Sequence, residues 1–120
     1  MASARDLRRA ALALPQAYED THRRRPAFRV NARIFAMLGV TGNEALFTSL
    51  GWDDVAVVKL DREDQLNLAA EYPDAIQPTE TYGHHGWTYL RLEALDEAVL
   101  ALALRLAFIH VAPKRLSRLL

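Results

Sequence analysis

The amino-acid sequence predicts an α+β domain, a twisted antiparallel sheet with helices packed on it. Three observations point there. RIFAML (33–38), VAVVKL (55–60) and WTYLRL (87–92) read as strands, from side-chain alternation or from β-branched enrichment. Helix-like periodicity with start and stop signals frames them near 3–14, 61–71 and 96–111. Successive strands near the N-terminus are joined by short connections, as in hairpins, which favours an antiparallel sheet and the α+β class. The 120 residues suit one domain spanning 1–120.

In chain order, Ser3 and Asp6 form an S-x-x-D capping pattern. Leu7, Ala10, Ala11 and Leu14 then share one helical face, with Arg5, Arg8 and Arg9 opposite, and Pro15 stops the helix. YEDTH (18–22) reads as a strand, with Pro26 separating it from AFRV. Asn31-Ala32 reads as a tight turn into RIFAML, where Arg33, Phe35 and Met37 should face one way and Ile34, Ala36 and Leu38 the other. The stretch 39–54 reads as a long connection with a piece of strand at Ala45–Leu50.

Asp61 caps a helix over 62–71 that ends before Pro73. IQPTETYGHHG (76–86) reads as loop, broken by Pro78, Gly83 and Gly86. In WTYLRL, Trp87, Tyr89 and Arg91 share one face. Asp96 caps a final long helix over 97–111 with two apolar stripes. Val99, Leu102, Leu106 and Ile109 form one stripe; Leu100, Leu104, Phe108 and Val111 form the other. Pro113 suits the first turn of a short terminal helix. The expected core is Leu7, Leu14, Phe28, Ile34, Val57, Leu90, Leu102 and Leu106. Covering the second stripe with the first helix gives a monomer, which is favoured over a homodimer.

Composition narrows the chemistry. There is no cysteine, which excludes disulfides, thiol catalysis and thiolate metal sites, and suits a cytoplasmic protein. No run is long enough for a membrane helix, and the apolar stretch near the N-terminus is too short for a signal sequence. The formal charge is zero but unevenly spread. Residues 1–36 carry eight arginines against three acids, residues 37–104 three basic groups against twelve acids, and residues 105–120 four basic groups and no acid. A positive surface therefore requires particular residues to be gathered in space.

Three clusters are candidate binding elements. Arg23, Arg24, Arg25, Arg29 and Arg33 could contact phosphates; alternatively Arg23–Arg25 sit in a solvated loop, and Arg29 and Arg33 lie on the outer face of a hairpin paired with acids such as Glu19 and Asp20. Trp87, Tyr89 and Arg91 could stack bases or grip a peptide, or be core beneath a helix. Lys114, Arg115 and Arg118 form a basic terminus, or cap the preceding helix. The adjacent pair His84-His85 has no third ligand nearby, so no metal is expected. No nucleophile motif, GxGxxG or Walker A loop is visible, so neither a catalytic residue nor a cofactor is expected; a non-enzymatic protein is favoured over an enzyme with an unrecognised site.

ALALPQAYED, RPAFRVNARIFAML, VVKLDREDQ, YGHHGWTYLRL and VAPKRL, in this order, resemble the MmcQ/YjbR family of small bacterial proteins. The resemblance spans nearly the whole chain, although 39–54 looks longer than the family's usual connection. It implies a single α+β domain similar to "double wing" DNA-binding domains and also to secretion chaperones. It thereby implies DNA as a partner, with a protein partner as the alternative. The residues expected to carry DNA binding are Arg29, Arg33, Trp87, Tyr89, Arg91, Lys114 and Arg115.

Overall fold

The structure is a computed structural model, and it describes residues 1–39 and 54–120. The expected strand at 45–50 lies outside the described residues. Among the described residues, six strands form one antiparallel sheet in the order β1-β2-β3-β4-β6-β5. They are β1 (Tyr18–His22), β2 (Arg25–Val30), β3 (Arg33–Leu38), β4 (Val55–Lys59), β5 (Ile76–Pro78) and β6 (Trp87–Arg91). The helices are α1 (Ala4–Leu12), α2 (Arg62–Glu71), α3 (Glu97–Val111) and α4 (Lys114–Ser117). This is the α+β class read from the sequence.

The caps form where the sequence places them. Asp6 N–H donates to Ser3 Oγ at 3.2 Å, and Ser3 N–H returns a bond to Asp6 Oδ2 at 2.9 Å, a reciprocal capping box. Asp61 accepts from Glu63 N–H at 3.1 Å, and Asp96 accepts from Val99 N–H at 2.8 Å.

One face of the sheet is covered by helices. Phe28, Val30, Phe35, Ala36, Leu38, Ala56, Val58, Leu60 and Leu90 join Leu7, Ala11, Leu100, Ala103, Leu104, Ala107, Phe108 and Leu116 in the main core. The Phe35 and Phe108 rings meet edge to face at 5.7 Å. α3 packs on β3 and β4, α1 crosses α3, and α2 packs on β5. None of the described helices is long and apolar enough to cross a membrane.

Four expectations need correction. First, Leu102 is 44% exposed. α3 buries Leu100, Ala103, Leu104, Ala107 and Phe108, a stripe centred away from Leu102. Leu14, Ile34 and Leu106 are half-buried, whereas Leu7, Phe28, Val57 and Leu90 are buried as expected. Second, the region read as loop contains the edge strand β5, and Pro78 is tolerated there as its last residue. Third, Pro26 does not separate two elements, because it lies inside β2 opposite Thr21.

Fourth, the alternation of β3 is broken. Phe28 lies opposite Ala36, but Arg29 lies opposite Ile34, so β3 carries one extra residue. Phe35, Ala36 and Leu38 therefore all reach the helix-covered core, while Ile34 and Met37 point to the other face.

Candidate nucleic-acid interface

Strand register assigns the other face residue by residue, since directly paired residues share a side. β1 contributes Tyr18, Asp20 and His22; β2 contributes Arg25, Ala27 and Arg29. β3 gives Ile34 and Met37, β4 gives Val55, Val57 and Lys59, and β6 gives Trp87, Tyr89 and Arg91. Val55, Val57, Tyr89 and Trp87 form a second apolar cluster to which none of the described helices contributes, and in that sense this face is helix-free. The charged strand residues of this face are Arg25, Arg29, Lys59 and Arg91 against one carboxylate, Asp20, among the described residues.

The individual side chains differ in what they can do. Arg29 Nε lies 3.2 Å from Asp20 Oδ2, and its NH1 donates to the Ala32 carbonyl at 3.0 Å, so this guanidinium is held along its own hairpin. Arg91 pairs with Glu93 at 2.7 Å. That pair is substantially exposed, and such pairs are weak enough to be exchanged for a phosphate. Lys59 Nζ sits 5.2 Å from the Trp87 ring centroid, a cation–π contact. Burial lowers the Arg25 guanidinium from its ordinary value, which still leaves it charged near neutrality. Tyr89 is 1% exposed and forms part of the floor.

A cleft of ≈ 230 Å³ opens on this face. It is lined by His22, Arg23, Ile34, Met37, Val57, Thr79, Tyr82, Trp87 and Tyr89. It runs from the β1–β2 turn towards β6, so it has one end at His22 and Arg23, where Arg23 supplies a cation, and an aromatic end at Tyr82 and Trp87.

The aromatic end is positioned from behind. Gln65 of α2 is fully buried, and its Nε2 lies 3.0 Å from Gly83 O, 3.1 Å from Trp87 O and 2.9 Å from Thr88 Oγ1. Arg62 NH1 donates to Gln65 Oε1 and also to Gly83 O at 3.1 Å. Tyr82 N–H donates to Thr79 Oγ1 at 3.2 Å. Gly86 has φ +96°, and a β-carbon there would lie 2.0 Å from the Leu60 carbonyl oxygen. The glycines of YGHHG thus let a 3-10 turn over Gly83–His85 dock against the end of β4 and aim Tyr82 and Trp87 at the cleft. His84 and His85 are exposed on that turn. Among the described residues, no group of three or more His, Asp or Glu could hold a metal ion.

The cationic end is built by a strained turn. Arg23 and Arg24 have φ values of 52° and 68° between paired strands, the arrangement that favours Asn-Gly. Arginine in this left-handed region costs of order 1–2 kcal/mol per residue.

Of the residues expected from the sequence, Arg29, Trp87, Tyr89 and Arg91 share this face. Arg33 does not. It lies opposite Val30, whose side chain is in the helix-side core, so Arg29 and Arg33 point to opposite sides of the sheet. Lys114 and Arg115 are exposed on α4, which packs on α3 in the helix layer. They are not brought together with Trp87. Met37, Thr79 and Tyr82 join the site without a sequence signal, because nothing local in the chain ties them to β6. Arg23, a candidate phosphate contact in the sequence, lies exposed on the β1–β2 turn and lines the cleft.

The family model described as YjbR matches residues 12–108. The chain belongs to the YjbR family. The crystal structure of Deinococcus radiodurans protein DR2400, with the family-model domain DUF419, is similar to this chain with a TM-score of 0.71. The two are 21% identical over 92% of this chain and 79% of that one, a likeness of fold. None of the curated proteins matches the chain. What this YjbR protein binds therefore has to be argued from its own residues, above all from the helix-free face and its cleft.

Proposed function

We propose that this YjbR protein is a non-enzymatic DNA-binding protein whose helix-free sheet face is the contact surface. One observation supports the reading: the separation of charge on that face. A chain of zero formal charge sets Arg25, Arg29, Lys59 and Arg91 against Asp20 on the described strands there, with Glu93 beside Arg91, next to aromatic side chains. Local focusing of this kind attracts a polyanion without an overall positive charge.

The test is a titration of labelled duplex and single-stranded DNA between ~50 and ~200 mM salt. Affinity should fall steeply with salt. Lys59→Ala with Arg91→Ala should flatten the slope by about 0.9 log unit per log unit of salt for each phosphate no longer neutralised. Absence of binding to either DNA at the low-salt end overturns the reading.

A second reading, binding of a protein partner, is favoured by the outer side of the helix layer. Leu102 and Ile109 of α3 are each 44% exposed, and Leu12 of α1 is 40% exposed. Because α1 already buries Leu7 and Ala11 against α3, the chain itself should be a monomer in sedimentation at micromolar concentration. A dimer that Leu102→Ser dissolves would favour the protein reading.

A further inference from the structure

We infer that the cleft holds one nucleotide of an unpaired DNA strand, its base between Tyr82 and Trp87 and its phosphate at His22 and Arg23. The inference rests on the DNA reading for the nature of the polymer and deepens it.

Size, lining and strain point the same way. At ≈ 230 Å³ the cleft lies below the roughly 300–1,000 Å³ of pockets that enclose a whole drug-sized ligand. It suits a single ring system whose remainder stays outside, as when one unit of a polymer is inserted. The middle of the cleft is apolar, with Ile34, Met37 and Val57, and its aromatic end carries the rings of Tyr82 and Trp87. Tyr82 is 57% exposed, so its ring offers a free face, and Lys59 stands beside Trp87. Bases of any identity stack on such rings. Thr79 Oγ1 already accepts from Tyr82 N–H, which leaves its own O–H to donate to a base-edge acceptor.

The opposite end carries Arg23, with His22 beside it. Among the described residues neither Arg23 nor Lys59 makes an ion pair, in contrast to Arg29 and Arg91. Arg23 also occupies a turn position that glycine or asparagine would fill at lower cost. A strained residue beside a cleft is an observation from which function can be inferred. A base inside a duplex cannot enter the cleft without first leaving its stack, so an unpaired strand is the better ligand.

The experiment uses the full chain and fluorescence anisotropy with a labelled oligothymidylate of ~10 nucleotides, the matching duplex and thymidine monophosphate. The single strand should bind ~10-fold or more tightly than the duplex, and Tyr82→Ala should weaken it by roughly 5-fold to 100-fold. Arg23→Gly should weaken binding while leaving the melting temperature unchanged or higher, because glycine relieves the positive φ. That combination separates a contact from a structural role. DNA binding that is indifferent to both variants, or equally tight for duplex, overturns the cleft assignment and leaves the sheet-face reading standing. Binding of the mononucleotide alone, abolished in both variants, overturns the strand and the DNA reading together and leaves a free nucleotide as the ligand. Failure of all three probes to bind overturns both readings.

Discussion

The two faces of the one sheet are built to opposite rules. The helix-covered face presents Phe28, Phe35, Ala36, Val58 and Leu90 at zero exposure, and its charged strand residues among those described are Glu19 and Arg33, both at the margins. Among the described residues, the strands of the helix-free face hold four cations and one carboxylate, Asp20, with Glu93 beside Arg91, set around Val55, Val57 and Tyr89. Burial of apolar area drives the first arrangement. The second retains charge beside apolar floor, an arrangement that gains little from folding alone. The comparison teaches that a net charge of zero is an average over unlike surfaces. The basic margin appears only when β1, β2, β4 and β6 are laid side by side.

The largest expected effect lies on the covered face. Phe108→Ala removes the ring that meets Phe35 edge to face and should cost about 3–5 kcal/mol in denaturant unfolding. The variant's folded fraction should keep its salt dependence for DNA. A loss below ~1 kcal/mol would mean that α3 does not seal this face as described. Next comes the support between the faces. Gln65→Ala leaves Gly83 O, Trp87 O and Thr88 Oγ1 without their shared donor and should cost about 1–3 kcal/mol. It should also weaken oligonucleotide binding, since the Tyr82–Trp87 segment loses its anchor. Stability loss with binding unchanged would uncouple the network from the cleft.

The same residues show how much of the molecule is legible in the chain. Caps at Ser3, Asp61 and Asp96 and the strands of β3, β4 and β6 follow from local chemistry, so the sequence carries them. The bulge in β3 is not legible, because RIFAML alternates equally well without it. Its consequence is large: Phe35 joins the core, and Arg29 and Arg33 are parted. β5 is hidden by its three-residue length and its proline. In the site, Trp87, Tyr89 and Arg91 are legible as one face from alternation alone. Met37, Tyr82 and Arg23 are not, because their meeting depends on strand order and on positive φ values that arginine does not advertise.

A smaller effect tests the helix layer. Leu102 is 44% exposed, so Leu102→Ala should cost under ~1 kcal/mol, whereas Leu104→Ala, two residues on and 1% exposed, should cost about 2–5 kcal/mol. Equal losses at the two positions, measured in the same denaturant series, would show that the outer stripe is covered in solution and would favour a partner or a second copy there.

The smallest expected effect is the sharpest for the comparison of faces. Arg33 and Lys59 are both cations on strands, but Lys59 stands on the helix-free face beside Trp87, and Arg33 stands opposite Val30 on the other side. Screening at ~0.15 M salt limits the reach of an exposed charge to about 8 Å, so a cation on the wrong side of the sheet contributes little to a ligand across it. Arg33→Ala should leave both the affinity for single-stranded DNA and its salt slope unchanged, while Lys59→Ala lowers both. A slope reduced by about 0.9 in Arg33→Ala, the signature of one phosphate left unneutralised, would carry the strand around the edge of the sheet and break the division between its faces.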